Sequence, residues 1–267
     1  MQSTINVRAN SEQIVIREEL EAQDLLMLAD GHIGAVVVSN FYNAAYCKVT
    51  IEHFKKNIQY YLNPSIGCFG LAYFETTDQQ DMIDEYYKHA TSNIQKIRRI
   101  FSPYLSPIDL LRLTLQEKWA SGADLENIDE HKMFVGICRI LEPKMAILPH
   151  QDKLSRDAPN SLKARSLLAQ FAANIYLDVP EDGGELDIWD QELDDKTYDS
   201  MAMAGSYGIE SHLLPPPHCT IKPKSGDLIL INSRRLHAVK AASTQSRTAM
   251  GCFIGYYGPN KPLSYWS

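Results

Sequence analysis

Apolar positions recur at helical spacing in the first half of the chain and at strand spacing in the second. Within residues 80–101, Ile83, Tyr86, Tyr87, Ala90, Ile94, Ile97 and Phe101 fall three or four apart, which lines one face of a helix. Residues 110–119 repeat that pattern after Pro107, and Ser121-Gly122 breaks it. Residues 18–29 form a shorter amphipathic candidate. The β-rich run 34–39 is followed by a further predicted helix over 44–61. After about residue 125 the period changes. Runs at 133–141, 167–179, 184–189, 227–231 and 248–257 are short and rich in aliphatic residues. Turn residues separate them at 142–144, 180–184, 224–226 and 258–260. Many short strands joined by turns predict a sandwich or jelly-roll barrel whose mouth can take a ligand.

No Pro/Gly/Ser-rich linker divides the halves, so the expectation is one α+β domain over 1–267. A mainly helical front layer (1–125) would pack on a jelly-roll, cupin-like core (126–267).

Two segments carry chemistry. In Leu148-Pro149-His150-Gln151-Asp152, the imidazole and the carboxylate are two positions apart, so an extended strand turns both to the same side. In the second, Gly226-Asp227 starts an apolar strand that delivers His237 just beyond its end. Arg247 stands ten positions further and opens another strand. Two imidazoles and one carboxylate on one face of a metal leave its other positions open, the donor set of non-haem Fe(II) oxygenases. A guanidinium can then clamp the distal carboxylate of a chelating 2-oxo acid bidentately. Asn174 and Tyr176 alternate with Ile175 and Leu177, which turns them toward the lumen if the aliphatic pair faces the core wall. His212 and His218, flanking Leu213-Leu214-Pro215-Pro216-Pro217, are alternatives to His237, but neither follows a core strand. Trp189 and the Tyr86-Tyr87 pair read as packing residues.

Charge and cysteine content narrow the partners. The formal net charge of −7 disfavours a nucleic-acid binder. No apolar run approaches the ~20 residues of a membrane helix, and the first twenty or so residues lack a secretory apolar region. The five cysteines are scattered without a CxxC, which fits reduced thiols in the cytoplasm and disfavours a structural zinc site.

The order H-x-D, strand-led His, then Arg resembles the Fe(II)/2-oxoglutarate-dependent oxygenase superfamily, whose core is a double-stranded β-helix. The resemblance covers roughly 133–257, and Gly183-Gly184-Glu185-Leu186 is similar to the superfamily's turn into its next core strand. It implies that His150, Asp152 and His237 ligate iron and that Arg247 binds the C5 carboxylate of 2-oxoglutarate. The runs 134–150 and 180–186 further resemble the carrier-independent aliphatic halogenases of hapalindole-type alkaloid biosynthesis. Those enzymes carry Gly where this chain has Asp152, and chloride occupies the vacated position. With Asp152 in place the implied outcome is hydroxylation. Arg139 also sits at a position that looks shared, as support for the 2-oxoglutarate or substrate carboxylate, with a structural salt bridge as the alternative.

The implied cofactors are Fe(II), 2-oxoglutarate and O₂, with ascorbate useful in vitro. The implied reaction hydroxylates an unactivated aliphatic carbon of a small molecule, a free amino acid or natural-product intermediate, releasing succinate and CO₂. A monomer or homodimer is expected. A desaturase or ring-forming enzyme would share the same residues. A non-catalytic cupin-like metal sensor would have no use for Arg247.

Overall fold

Residues that alternate along strands build two facing sheets here, and the residues of helical period cover one of them. The computed structural model describes residues 7–9, 13–203, 206 and 208–267. The chain begins with β1 (Val7–Ala9), β2 (Ile14–Arg17), α1 (Ala22–Ala29), β3 (Ala35–Val38), α2 (Ala44–Lys55), β4 (Gln59–Asn63) and β5 (Ile66–Phe69). A 3₁₀ turn at Tyr73–Thr76 leads to α3 (Gln80–Phe101), α4 (Pro107–Lys118) and β6 (Ala123–Leu125). Then come β7 (Asn127–Ile128), β8 (His131–Lys132), β9 (Ile137–Leu141), β10 (Ile147–His150), α5 (Leu154–Asp157) and α6 (Leu162–Arg165). The remainder is β11 (Ala169–Asp178), β12 (Leu186–Ile188), α7 (Asp195–Met201), β13 (Cys219–Ile221), β14 (Leu228–Asn232), β15 (His237–Val239), β16 (Arg247–Tyr256) and β17 (Leu263–Trp266).

The larger sheet has the order β2-β3-β14-β11-β16-β9-β5-β4, with β17 beside β16 and β6 beside β17. The smaller sheet has the order β1-β13-β12-β15-β10. This is the jelly-roll core that the strand pattern predicts, with helices against one face. On β11, Phe171, Ala173, Ile175 and Leu177 join the helix-side core, whereas Ala172 and Tyr176 join the cluster between the sheets. A strand buried on both faces reads as a continuous apolar run, which is why its sequence shows no simple alternation. From the smaller sheet, Leu186, Ile188, Cys219, Ile221 and Val239 face the same inter-sheet space.

Helix α3 buries the expected stripe of Tyr86, Ala90, Ile94, Ile97 and Phe101. The helix expected over 44–61 is corrected: it stops at Lys55, and its last six positions lead into and begin a β-hairpin. The Asn63 side chain accepts from Ser65 N at 2.7 Å, an Asx turn that reverses the chain before β5. Strands β2 to β5 thus join the larger sheet from the half read as mainly helical. The Gly-Gly turn before β12 has a steric cause. Gly183 sits at φ +69°, and a Cβ there would lie 2.1 Å from the Ala241 carbonyl oxygen.

Candidate active site

The jelly-roll brings His150, Asp152 and His237 together at one end of the smaller sheet. Strands β10 and β15 pair antiparallel, with His150 directly opposite His237. His237 also pairs across β15 with Ile188 of the inter-sheet cluster, so its side chain shares that interior face. His237 does not trail the strand at 227–231 as expected. A turn intervenes, and His237 opens a strand of its own. Asp152 lies two residues past His150, where its N–H donates to the Ser233 carbonyl at 2.8 Å. That bond ties the H-x-D segment to the turn that delivers His237.

Donor atoms of the three residues lie within 4.8 Å of one another. Asp152 Oδ2 is 3.3 Å from His237 Nε2 and 3.7 Å from His150 Nε2. Each Nδ1 faces a backbone carbonyl, Leu148 O at 2.8 Å and Arg235 O at 3.0 Å. With Nδ1 as the protonated donor, each Nε2 keeps its lone pair for the shared point. Burial, reinforced by His237, pushes His150 down to about 4, so its imidazole is neutral at pH 7. Burial acts to raise the Asp152 carboxyl, but His150, the hydrogen bond from His237 and Arg139 outweigh it and hold it below the usual carboxylate range. A carboxylate converging with two imidazoles suits a divalent transition metal.

Arg247 opens β16, as expected, and is buried at 7% exposure. Its guanidinium lies 4.8 Å from the centre of the Tyr176 ring. Its Nε is buried without a hydrogen-bond partner, as is Tyr176 Oη. Unpaired buried polar groups are costly, and a bound carboxylate would relieve this cluster. Tyr176 belongs to the inter-sheet cluster, and the strand pleat puts half-buried Asn174 on the same face. Asn174 stands opposite Gly251, where a Cβ would lie 2.5 Å from its Oδ1.

Arg139 projects from the same interior face, between Ala249 of β16 and Cys68 of β5. Its guanidinium pairs with Glu75 and also donates to Cys68 Sγ. Glu75 accepts further from Tyr61 Oη at 2.7 Å and Ala72 N at 2.9 Å. Sequence reasoning missed Glu75, which lies 64 positions from Arg139 on a 3₁₀ turn without a motif. It also missed Asp157, on α5, whose carboxyl burial and the nearby Asp152 charge raise to about 7.

Other candidates fall away from the triad. His212 is exposed and contacts Glu210 at 3.0 Å. His218 is half-buried, and its N–H donates to Ile188 O. Trp189 packs with Leu193, Tyr198 and Leu236, and its indole N–H donates to Pro215 O at 2.7 Å. Tyr86 is a core residue, its hydroxyl donating to Ser267 O at 2.7 Å. Tyr87 is half-buried and lines a cavity of about 600 Å³ with Tyr73, His131 and Ala158, a cavity whose wall contains no triad residue. All five cysteines are free and buried. Among the described residues no helix is long and apolar enough to cross a membrane.

Comparison with known proteins follows the same lines. L-gamma-glutamyl-L-propargylglycine hydroxylase of Streptantibioticus cattleyicolor is 28% identical over 163 residues, 60% of this chain and 59% of that protein. L-isoleucine 3(1)-dioxygenase of Pantoea ananatis is 28% identical over 127 residues, 46% of this chain and 43% of that protein. The chain thus spans about half the length of these curated relatives. The crystal structure of an N-substituted L-amino acid dioxygenase from Burkholderia ambifaria, in complex with α-ketoglutarate, superposes with a TM-score of 0.59. Its identity is 18%, with 92% of this chain and 91% of that one covered, which shows a shared fold. The family model of the carrier-protein-independent halogenase WelO5 matches residues 14–267, from β2 through β17. The chain therefore belongs to the WelO5 family, within the Fe(II)/2-oxoglutarate oxygenase superfamily.

Proposed function

We propose that the chain is an Fe(II)- and 2-oxoglutarate-dependent dioxygenase that hydroxylates an unactivated aliphatic carbon of a small molecule. The observation that carries this reading is the convergence of His150, Asp152 and His237 within 4.8 Å. Those three residues would hold iron. The Arg247 guanidinium, stacked on Tyr176, would take the distal carboxylate of 2-oxoglutarate, with Asn174 beside it on the same face. When bound, iron and 2-oxoglutarate supply the oxidising chemistry that inserts one oxygen atom of O₂ into a C–H bond and leaves succinate and CO₂. The protein's part is orientation. Backbone carbonyls fix both imidazoles, Ser233 anchors the Asp152 backbone, and the apolar residues between the sheets exclude water.

The family is named for halogenation, and Asp152 argues against that outcome here. A carboxylate fills the position that a halide needs, which favours hydroxylation. The hydroxylase and dioxygenase names of the curated relatives support the same choice, one naming a free amino acid and the other a γ-glutamyl amino acid. A sensor without turnover would leave the buried Arg247 Nε unexplained.

The test is to load purified protein anaerobically with Fe(II) and 2-oxoglutarate, then admit O₂ with a panel of free amino acids in chloride buffer. Succinate release coupled to a product about 16 Da heavier, the mass of one oxygen atom, is expected. A chlorine isotope pattern in the product would overturn the assignment of Asp152, and absence of substrate-coupled succinate would overturn the reaction class.

A further inference from the structure

Behind the triad, on the side away from the converging donors, one short segment grips the neighbours of the ligands. Where His150 and Asp152 turn to one side of an extended stretch, Gln151 and Lys153 turn to the other. Lys153 keeps the extended backbone, at φ −139° and ψ 113°. Gln151 and Lys153 are both buried, at 5% and 8% exposure. Gln151 Nε2 donates to the Leu193 carbonyl at 2.9 Å, and its Oε1 accepts from Leu193 N at 3.0 Å. Lys153 Nζ donates to the same Leu193 carbonyl oxygen at 2.9 Å. Both neighbours of Asp152 are thus fastened to one backbone atom, while Asp152 N–H is held by Ser233 O. The same segment serves His237. Leu193 packs in the cluster that holds Leu236 and Ala238, the two neighbours of His237. Trp189 N donates to Leu236 O at 2.9 Å, and Leu236 N donates to Gln191 O at 2.8 Å. Glu192 Oε1 stands 3.1 Å from Lys153 Nζ and 2.9 Å from Arg234 Nη2, which ties the residue after Asp152 to the turn before His237.

Strand β10 ends at His150, so Asp152 has no ladder of its own to ride on. The Gln151 carboxamide replaces it: one donor and one acceptor close on the Leu193 backbone, as a strand edge would. With its own N–H and both flanking side chains fixed, Asp152 keeps little freedom beyond its side-chain torsions. We propose that Gln151 is a positioning residue for the metal. Closed on Leu193, it aims the Asp152 carboxylate at the point the two imidazoles share, and segment 189–195 is the buttress that keeps the two ligand-bearing stretches in register. This inference rests on the proposed function and concerns how its metal site is held. Asparagine at position 151 is one methylene shorter and cannot close both bonds, which leaves polar atoms of the buried Leu193 backbone unpaired.

The test is a double-mutant cycle on Ni(II) affinity, measured by calorimetric titration of the metal-free protein without 2-oxoglutarate or substrate. Gln151→Asn should weaken Ni(II) binding ~10–100-fold, the range for losing a partner behind a metal ligand. In the Asp152→Ala background the same substitution should change Ni(II) affinity by less than about twofold, because the residue it positions is gone. Lys153→Met is run through the same cycle, so the test survives if Gln151→Asn does not fold. It removes the second donor to Leu193 O, while Glu192 keeps Arg234 and Asp195 is exposed to solvent. It should weaken Ni(II) only while Asp152 is present, although losing a nearby cation by itself favours a bound metal. A merely structural role would lower the melting temperature and weaken Ni(II) equally in both backgrounds, and that result would overturn the inference. Affinity within about twofold of wild type in Gln151→Asn would overturn it as well. Ni(II) affinity untouched by Asp152→Ala itself would reject the triad and the proposed function with it, whereas equal losses in both backgrounds leave the triad standing.

Discussion

Replacing Arg247 should move affinity and stability in opposite directions, which separates a ligand-binding residue from a structural one. In the free protein its Nε is buried without a partner, and so is the hydroxyl of Tyr176, over whose ring the guanidinium lies. An unsatisfied buried donor costs ~1–3 kcal/mol. The stacking of the guanidinium on Tyr176 returns ~0.5–2 kcal/mol of that. Arg247→Met keeps the apolar stem, removes the orphaned donor and, at the middle of these ranges, should stabilise the ligand-free protein by about 1 kcal/mol, roughly 2–4 °C for a chain of this size. Binding should move the other way. A desolvated charge pair lost from one side costs ~2–5 kcal/mol, and at ~1.4 kcal/mol per decade the Kd for 2-oxoglutarate rises roughly 30- to 4,000-fold. Arg247→Lys should fall between, because it keeps the charge but loses the bidentate fork and the ring stacking. The assay pairs scanning fluorimetry without ligands with calorimetric titration of 2-oxoglutarate into Ni(II)-loaded protein. Nickel affinity is the internal control, since Arg247 is not among the converging donors. A variant that melts lower and binds 2-oxoglutarate within twofold of wild type would make Arg247 a packing residue and refute the clamp.

Four further outcomes are expected. His150→Ala and His237→Ala should each weaken metal binding by more than the ~10–100-fold typical of losing an outer-shell partner, as read by equilibrium dialysis and metal analysis; wild-type metal content in either would reject the triad. Asp152→Gly should lose most hydroxylation and gain little or no chlorination, because a substrate carbon misplaced by about 1 Å already costs ~10²-fold; efficient chlorination by mass spectrometry would contradict this. Asp157 has a folded pKa of about 7 against an ordinary 3.8, so its favourable contribution is complete below about pH 4 and is lost as the pH rises through 7. The melting temperature of Asp157→Asn relative to wild type, measured with chelator, should therefore climb from pH 4 to pH 8, and a flat difference would refute the assignment. Gly183→Ala should destabilise the fold by roughly 1–3 kcal/mol through the left-handed backbone and the 2.1 Å approach to Ala241 O, seen as a lower urea midpoint.

How much of this was legible in the sequence depended on the range over which each signal acts. The triad was legible because its parts are local. H-x-D needs only a two-residue period, and Arg247 opens a strand as expected, whereas His237, read just past the run at 227–231, opens a strand of its own after a turn. Two-sided burial made β11, β14 and β16 visible as apolar runs. Strands β13 and β17 have three and four residues, too few for a period to register. Helix α2 was overrun because Tyr60 and Tyr61 continue a plausible helical spacing, while the Asx turn at Asn63 settles them into a hairpin.

The charges around Asp152 were not legible, because they are properties of topology. Strand β5 lies beside β9, and the chain leaving β5 enters the 3₁₀ turn within a few residues. That adjacency sets Glu75 against Arg139 across 64 positions of sequence. Helix α5 packs on the same turn. The same argument explains how one family can host different chemistries on one scaffold. Sheet order fixes where the imidazoles, the guanidinium and the flanking charges stand. Residue 152 lies just past the end of β10, held through its backbone by Ser233, so its side chain can change without disturbing a strand. A carboxylate there would close the position a halide needs, while Arg139 is placed independently, by β9 and its ion pair with Glu75.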